Sequence, residues 1–380
     1  MKKIKKKMKL FFLSLIHFIK YLKIQEKESL LIFYSESKFY REHFIDLIKY
    51  TKKLKETNII FVTSDYEDYL YHKNILDSLY LGNNFFIHLF FQILKCNCMV
   101  MTLTDLGNHV KKSIHCKNYV YFFHSISSVR TRYTKDAFKN YDIVLTNGEY
   151  QKKELIEFEN IFNFPKKKFI NAGYFFLDHL SKKAKLNLVN NKNILFAPSW
   201  NYNKKNLFDD YGVSIIDSLI KNNFIVTLRP HPEHYKRSSK TIKKILYKFD
   251  NNDNFYLDKK FSNLDSFEKS CLLITDNSSI DMEYVFLFKR PIIYLDYVPK
   301  IHNNEHQLIK SEDIDVEFKK IFGNTLKIEK LKELPKLIYK LTNGQKNEVI
   351  VEQFKKRYLS NIGNSSKFAS EYIVSNILNK

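Results

Sequence analysis

Glycine and cysteine are scarce in this sequence, and both shortages limit the classes of function that it can have. The 380 residues include 8 Gly, none of them arranged as G-x-G-x-x-G. Dinucleotide-binding folds use that pattern to bring the backbone close to a pyrophosphate, so its absence argues against a dinucleotide-dependent oxidoreductase. The 4 Cys are predicted to be reduced thiols in the core of a cytoplasmic protein. They are Cys96, Cys98, Cys116 and Cys271.

Arginine is also rare, although the chain is strongly basic. Only seven of the 63 basic residues are Arg, and the formal net charge is +22. This balance favours an anionic partner, such as a phosphorylated substrate, an acidic lipid surface or nucleic acid. We expect no nucleic acid, because the sequence has no zinc-finger, helix-turn-helix or aromatic-interleaved basic pattern. Arg is hard to replace where planar phosphate contact matters, which makes the few that are present informative. Four of them lie near the motifs below: Arg130, Arg132, Arg229 and Arg290.

The apolar run near the N-terminus is too short to cross a membrane. Residues 1–9 contain six Lys, residues 10–19 are nearly all apolar, and Lys20 restores charge. A spanning helix needs roughly 20 apolar residues, and no small-residue cleavage site of a signal peptide follows. The pattern predicts that residues 1–24 form a basic amphipathic arm on an anionic membrane surface. A first core helix with a solvated basic end is the alternative.

The rest of the chain alternates between short apolar strands and helical segments. Its length favours two domains, since one core rarely grows past about 250–300 residues. The alternation is typical of α/β folds with parallel sheets, and two Rossmann-like domains facing a cleft form the GT-B architecture. Within this pattern, helices are predicted over 69–79 and over 236–248. The predicted parts are a first domain (25–182), a linker (182–192), a second domain (193–330) and C-terminal helices that pack back (331–380).

A stiff basic loop follows one predicted strand of the second domain. The strand covers 224–228, and Arg229-Pro230-His231-Pro232 comes directly after it. In an open α/β sheet, ligands bind at the carboxyl ends of the strands. The prolines restrict the loop, so that Arg229 and His231 suit a diphosphate or a departing phosphate oxygen. A turn with a merely solvated His231 is the alternative.

Two serines open a predicted helix after a later strand. Ser278 and Ser279 follow that strand, and Ser278 with Asp281 fits an N-terminal capping box. Free N–H groups at a helix N-terminus bind anions, which indicates a phosphate contact. A purely structural cap is the alternative. Glu283, one turn further on, is a candidate for ribose hydroxyls, or otherwise a helix-surface carboxylate.

A histidine ends a strand of the first domain. The predicted strand 119–123 leads directly into His124. This residue faces the cleft from the side opposite the two motifs, where an acceptor hydroxyl would lie, so we expect a general base. A packed histidine or a turn former is the alternative. The other histidines form no pattern and are predicted to be structural or solvent-facing: His17, His43, His72, His88, His109, His115, His179, His234, His302 and His306.

These motifs resemble the CDP-glycerol glycerophosphotransferase family of teichoic acid and capsule polymer synthesis. The similarity lies in Arg229-Pro230-His231-Pro232, in 195–200 (LFAPSW) and in 273–294, and it is strongest over about 190–300. It implies a GT-B transferase that is cytoplasmic and peripheral on the inner face of a bacterial cell membrane. Such an enzyme moves glycerol phosphate from CDP-glycerol to a lipid-linked or polymer acceptor and releases CMP.

The resemblance also implies roles for individual residues. His231, Ser278 and Ser279 would hold the donor diphosphate, Glu283 would hold the cytidine ribose, and His124 matches the family's catalytic base. The family places that base in a His-Gly motif, whereas a serine follows His124 here. This departure leaves ribitol phosphate or a sugar nucleotide open as the donor.

The complete prediction is a peripheral membrane transferase that needs neither a metal nor a cofactor. Its partners would be CDP-glycerol or a related CDP-alcohol, a lipid-linked acceptor and an anionic membrane surface. The rivals are a GT-B glycosyltransferase or epimerase that uses a nucleotide sugar, and a non-catalytic basic membrane-binding protein. The predicted site comprises His124 and His231 as catalytic residues, Arg229, His231, Ser278 and Ser279 on the donor phosphates, Glu283 on the ribose, and Arg130, Arg132 and Ser199 as further candidate phosphate or acceptor contacts.

Overall fold

A computed structural model describes most of the chain. The described residues are 2–55, 58–104, 106–108, 110–186, 189–201, 205–260, 262–343 and 348–379. The predicted linker includes residues 187–188, which lie outside the described residues. The four cysteines are buried free thiols, as predicted.

The first half of the chain is built on a parallel sheet. Seven strands pair within the described residues, in the order β3-β2-β1-β4-β5-β6-β7. Most of these strands are buried along their whole length, because helices cover both faces and the sequence supplies continuous apolar runs. The strands are β1 (Leu31–Ser35), β2 (Ile59–Thr63), β3 (Asp77–Tyr80), β4 (Cys98–Met101), β5 (Tyr119–Phe122), β6 (Ile143–Thr146) and β7 (Lys168–Asn171). The helices are α1 (Lys2–Ile24), α2 (Arg41–Leu54), α3 (Tyr66–His72), α4 (Phe85–Ile93), α5 (Val129–Arg132), α6 (Glu149–Ile161) and α7 (Phe175–Ser181).

The second half repeats this plan around its own parallel sheet. Among the described residues, six strands pair in the order β10-β9-β8-β11-β12-β13. The strands are β8 (Asn193–Phe196), β9 (Ile225–Leu228), β10 (Phe255–Leu257), β11 (Leu272–Thr275), β12 (Ile292–Asp296) and β13 (Gly323–Lys327). The helices are α8 (Leu207–Lys221), α9 (Pro232–Arg237), α10 (Ser239–Phe249), α11 (Leu264–Lys269), α12 (Ile280–Phe288) and α13 (Ile314–Phe322).

The tail contains three further α-helices among the described residues, and the last packs on the first half. Ala369 and Ile373 join the apolar core beside β1 and α2, and Thr51 Oγ1 of α2 donates to Ser370 Oγ at 3.0 Å. The C-terminal helices therefore pack back, as predicted. They are α14 (Leu334–Thr342), α15 (Glu348–Tyr358) and α16 (Ser365–Ile373), and a π-helical turn (Val374–Leu378) follows.

Two glycines let the tail cross over the first half. A Cβ added at Gly148 would lie 1.8 Å from the carbonyl oxygen of Tyr358, and one at Gly173 would lie 2.2 Å from that of Ser360. Gly173 also has a positive φ of +94°, a conformation that other residues adopt only with strain. Asp178 of α7 then accepts the N–H groups of Gly363 (2.7 Å) and Ser365 (2.9 Å).

Two helix predictions are wrong. The helix predicted over 69–79 ends at His72, and Asp77–Tyr80 forms strand β3, which pairs with β2 at the edge of the sheet. Sheet pairing there overrides a local helical pattern. The single helix predicted over 236–248 is broken at Ser238 into α9 and α10.

Candidate active site

The candidate site lies where strands of both sheets reach their carboxyl ends. Six predicted site residues line one cavity between the halves. The first half contributes His124, which follows β5. The second half contributes the other five: Arg229, His231, Ser278, Ser279 and Glu283.

His231 is held as a neutral hydrogen-bond donor. It is the N-cap of α9, and its Nδ1 accepts the N–H of Glu233 at 3.2 Å, while His234 Nδ1 accepts the N–H of His231 at 3.1 Å. Burial lowers the pKa of His231 well below its usual value, and Lys300 and other nearby cations lower it further. Because Nδ1 accepts, the proton of the neutral ring lies on Nε2, which can donate to a ligand oxygen.

Arg229 is paired with a carboxylate at the edge of the cavity. Its Nη1 lies 2.6 Å from Oδ2 of Asp258, which follows β10. Lys259 and Lys260 follow Asp258 and also line the cavity. The second half therefore surrounds this space with cationic groups, which suits a polyanionic ligand.

The turn into α12 leaves two hydroxyls available. Ser279, not Ser278, is the N-cap, and its side chain makes no capping hydrogen bond. The predicted capping box of Ser278 and Asp281 is wrong, because the Asp281 carboxylate instead accepts from the N–H of Met282 (2.6 Å) and from Tyr294 Oη (2.7 Å). Neither serine hydroxyl bonds to another described residue, so both stay free for an anion at the helix N-terminus.

Glu283 connects the two halves. Its Oε1 accepts from Tyr174 Oη at 2.7 Å, and its Oε2 accepts from Asn263 Nδ2 at 3.0 Å. Burial raises its pKa to about 7, although both hydrogen bonds oppose that rise. Glu283 is therefore a buried carboxyl group with a lowered acidity, not the helix-surface carboxylate of the alternative interpretation.

His124 lies in a cage of rings on the opposite wall. Its ring centroid is 4.9 Å from that of Tyr40, 6.3 Å from that of His43 and 6.4 Å from that of Tyr133. Nδ1 is buried and has no hydrogen-bond partner. Burial lowers the pKa of His124 to about 4, so the ring is neutral near pH 7 and can accept a proton.

The other three candidate contacts bind protein groups rather than the cavity. Arg130 Nε lies 3.2 Å from Asp313 Oδ2. Arg132 Nε lies 2.9 Å from Asp315 Oδ2, and its Nη1 donates to the Asn277 carbonyl at 2.7 Å. Ser199 Oγ donates to Asp276 Oδ2 at 2.9 Å. A phosphate or acceptor contact by Arg130, Arg132 or Ser199 stays a prediction.

Several cavity residues escaped the sequence analysis. The strand-end rule could have found Asp258, Lys259 and Lys260, since they follow β10 as Arg229 follows β9. No local pattern marks His43, because only the packing of α2 brings it to the cavity. In the described part of the chain, no three His, Cys, Asp or Glu side chains come together as a metal site.

Comparison with known proteins gives one family and a common fold. The family model described as CDP-Glycerol:Poly(glycerophosphate) glycerophosphotransferase matches residues 19–379. No curated relative matches the sequence.

Solved structures share the architecture at low identity. A structure of the wall teichoic acid polymerase TagF, soaked with CDPG, is 16% identical, with a TM-score of 0.57 over 99% of this chain and 95% of that one. The S. aureus MnaA–UDP structure is 12% identical, with a TM-score of 0.59 over 90% and 95%. The UDP-GlcNAc 2-epimerase from Neisseria meningitidis bound to UDP-GlcNAc is 15% identical, with a TM-score of 0.53 over 91% and 99%. At such identities the likeness shows the fold, which is GT-B-like as predicted.

Proposed function

Because this chain belongs to the CDP-glycerol:poly(glycerophosphate) glycerophosphotransferase family, we propose that it transfers glycerol phosphate from CDP-glycerol to a hydroxyl of a polymer or lipid-linked acceptor in teichoic acid synthesis. The observation that carries this proposal is the shared cavity. A neutral histidine from one half faces an arginine, a donor histidine and a helix N-terminus from the other. Acid–base and phosphate-binding groups on opposite walls suit transfer between two bound substrates.

The second half would bind the donor diphosphate. His231 Nε2–H, the two serine hydroxyls and the N-terminus of α12 can donate to phosphate oxygens, while Arg229 and the neighbouring lysines supply positive charge. These groups are held in place before the reaction, so they can stabilise charge that develops on the departing phosphate. Glu283 would accept from the ribose hydroxyls.

The first half would activate the acceptor. The hydroxyl oxygen of the acceptor attacks the β-phosphorus of CDP-glycerol. The bond between that phosphorus and the oxygen that it shares with the α-phosphate then breaks. The hydroxyl proton moves to His124, and CMP leaves with the electron pair of the broken bond. A bound donor brings negative charge close to His124, which raises the pKa of the ring and makes it a better base.

The test is CMP release from CDP-glycerol with a glycerol phosphate oligomer as acceptor, with and without EDTA. We expect release that survives EDTA. His124→Ala should lower kcat about 10²- to 10⁴-fold, and His231→Ala about 10²-fold. His115→Ala, on the surface outside the cavity, is the matched control. Turnover of a nucleotide sugar alone, or full activity in both cavity variants, would contradict the proposal.

We also propose that α1 lies on an anionic membrane surface. Ser14, Phe18 and Tyr21 bury one face of the helix against the first half. The opposite face exposes apolar side chains at helical spacing, interspersed with lysines: Ile4, Met8, Phe12, Ile16 and Ile19. An exposed apolar stripe beside basic residues suits the interface of a bilayer. Among the described residues, no helix is long and apolar enough to span one.

A further inference from the structure

The two walls of the cavity differ sharply in charge. Among the described residues, the first half lines it with four uncharged side chains, whereas the second half contributes three cationic side chains, Arg229, Lys259 and Lys260, against the two carboxyl groups of Asp258 and Glu283. The phosphates of a donor therefore belong on the second-half wall. The first-half wall suits an uncharged part of a substrate, and its four residues are Phe39, His43, His124 and Phe176.

His43 on this wall is buried without a protein partner. It is 7% exposed, and its Nδ1 is buried with no hydrogen bond. Neither ring nitrogen bonds to another described residue. Leaving a buried polar group unpaired costs about 1–3 kcal/mol. His72 and His179 also carry unpaired buried ring nitrogens, but His43 differs from them because it lines the cavity, where a bound substrate can supply the missing partner.

The orientation of the His43 ring is fixed by its neighbours. It packs on Phe176 with 4.2 Å between ring centroids at 31°. It meets His124 edge to face, with 6.3 Å between centroids at 88°. Two imidazoles thus line the same cavity at a fixed angle to each other.

Both rings are neutral, which decides what they can bind. Burial lowers the pKa of His43 well below its usual value, and the neighbouring His124 and His179 lower it further. A neutral imidazole donates through one nitrogen and accepts through the other, so it pairs well with a hydroxyl. An anion would bind more favourably on the opposite wall, where the cationic side chains lie.

We propose that His43 is a second acceptor-binding residue, which hydrogen-bonds the hydroxyl adjacent to the one that His124 activates. The acceptor end would then carry two neighbouring hydroxyls, one that attacks and one that His43 holds. This inference rests on the proposed function and adds a specificity-determining residue to it.

The experiment compares two acceptors on the full-length protein. One is a short synthetic glycerol phosphate oligomer, and the other is the same oligomer with the secondary hydroxyl of its terminal glycerol replaced by hydrogen. His43→Phe keeps a ring of similar size without hydrogen bonds, and His43→Gln restores a hydrogen-bonding group. His115→Phe is the surface control, and thermal unfolding by circular dichroism checks that each variant folds.

We expect wild type to prefer the diol acceptor. His43→Phe should raise KM for the diol about 10- to 100-fold, to the value of the deoxy acceptor, as loss of such a contact implies. CDP-glycerol affinity should not change, and His43→Gln should recover part of the preference. Equal discrimination by wild type and His43→Phe, or no preference in wild type, would overturn the assignment.

Acceptor binding without donor separates this inference from the proposed function. Calorimetry on the two oligomers reports the His43 contact whether or not CMP is released. Preferential diol binding that His43→Phe abolishes supports the assignment even if CDP-glycerol is not the donor. CMP release by wild type with no effect of His43→Phe on binding or KM leaves the proposed function intact and removes the role of His43.

Discussion

Glu283 is a carboxyl group that both halves of the molecule share through Tyr174 and Asn263. Its pKa is raised to about 7 in the folded protein, whereas an unfolded Glu titrates near 4.3. The folded state therefore holds a proton that the unfolded state has released between these values. Glu283 favours folding below about pH 4, and this contribution is lost as the pH rises through about 7.

Glu283→Gln should remove this dependence on pH. The variant keeps a neutral hydrogen-bonding group, so the free energy of unfolding of wild type relative to it should fall by up to about 3 kcal/mol from pH 4.5 to pH 8. Urea unfolding at several pH values measures the difference. Glu329→Gln, at an exposed position, is the control. A gap between wild type and Glu283→Gln that is constant across the pH range would show that Glu283 does not titrate in this way.

Sequence reasoning located residues that a strand positions, and it missed those that packing positions. Arg229 and Ser278 were predictable because a strand end points toward the crevice whatever surrounds it. The failure of the capping box at Ser278 was not predictable, since Tyr294 of β12 donates to the Asp281 carboxylate instead. His43 depends on how α2 packs across the first sheet, which no short pattern records.

At the scale of single elements, α1 has the clearest division of faces. Its packed face carries Ser14, His17 and Tyr21, while Phe12 and Ile19 point away from the protein. A pattern of lysines and apolar residues predicted an amphipathic helix. The pattern could not predict which of these apolar residues would be buried. Phe18 and Ile19 are adjacent and both apolar, yet only Phe18 is buried.

Replacing the exposed apolar residues of α1 should detach the protein from vesicles. Phe12→Glu with Ile19→Glu removes apolar area that would be buried in the interface, so binding to anionic vesicles should fall at least about tenfold. Vesicle flotation measures the bound fraction, and high salt should weaken wild-type binding. Val349→Glu, at an exposed position of α15, is the matched control. Unchanged flotation of the α1 variant would contradict the membrane proposal.

At the scale of the whole molecule, partly buried ion pairs join the halves beside the site. Arg132 of α5 pairs with Asp315 of α13, and the same guanidinium holds the Asn277 carbonyl next to Ser278. Asn303 Nδ2 donates to the Arg130 carbonyl at 3.0 Å nearby. The sequence predicted two Rossmann-like halves from their alternating elements. It could not predict which residues would join them, because partners 183 positions apart share no local pattern.

Arg132→Met should lower both stability and donor affinity. Removing Arg132 leaves the partly buried carboxylate of Asp315 without its cationic partner, which costs about 1–3 kcal/mol of unfolding free energy. The variant also loses the hydrogen bond from Arg132 to the Asn277 carbonyl, which holds the turn before Ser278. CDP-glycerol binding should therefore weaken. Urea unfolding and calorimetry measure these effects. Adding Asp315→Leu should recover part of the stability, since the two changes are coupled. Strictly additive losses would mean that the pair does not join the halves.

The crossing of the tail over Gly148 and Gly173 also sets an order of events during synthesis. Residues 365–378 cover one face of the first sheet, yet they leave the ribosome after the entire second half. When the first half emerges, apolar surface beside β1 and α2 is therefore uncovered. It stays uncovered until α16 is synthesised. A ribosome that pauses before α16 has emerged should carry a first half that is open to chaperones and proteases, with α2, which carries His43, among the last parts to become rigid.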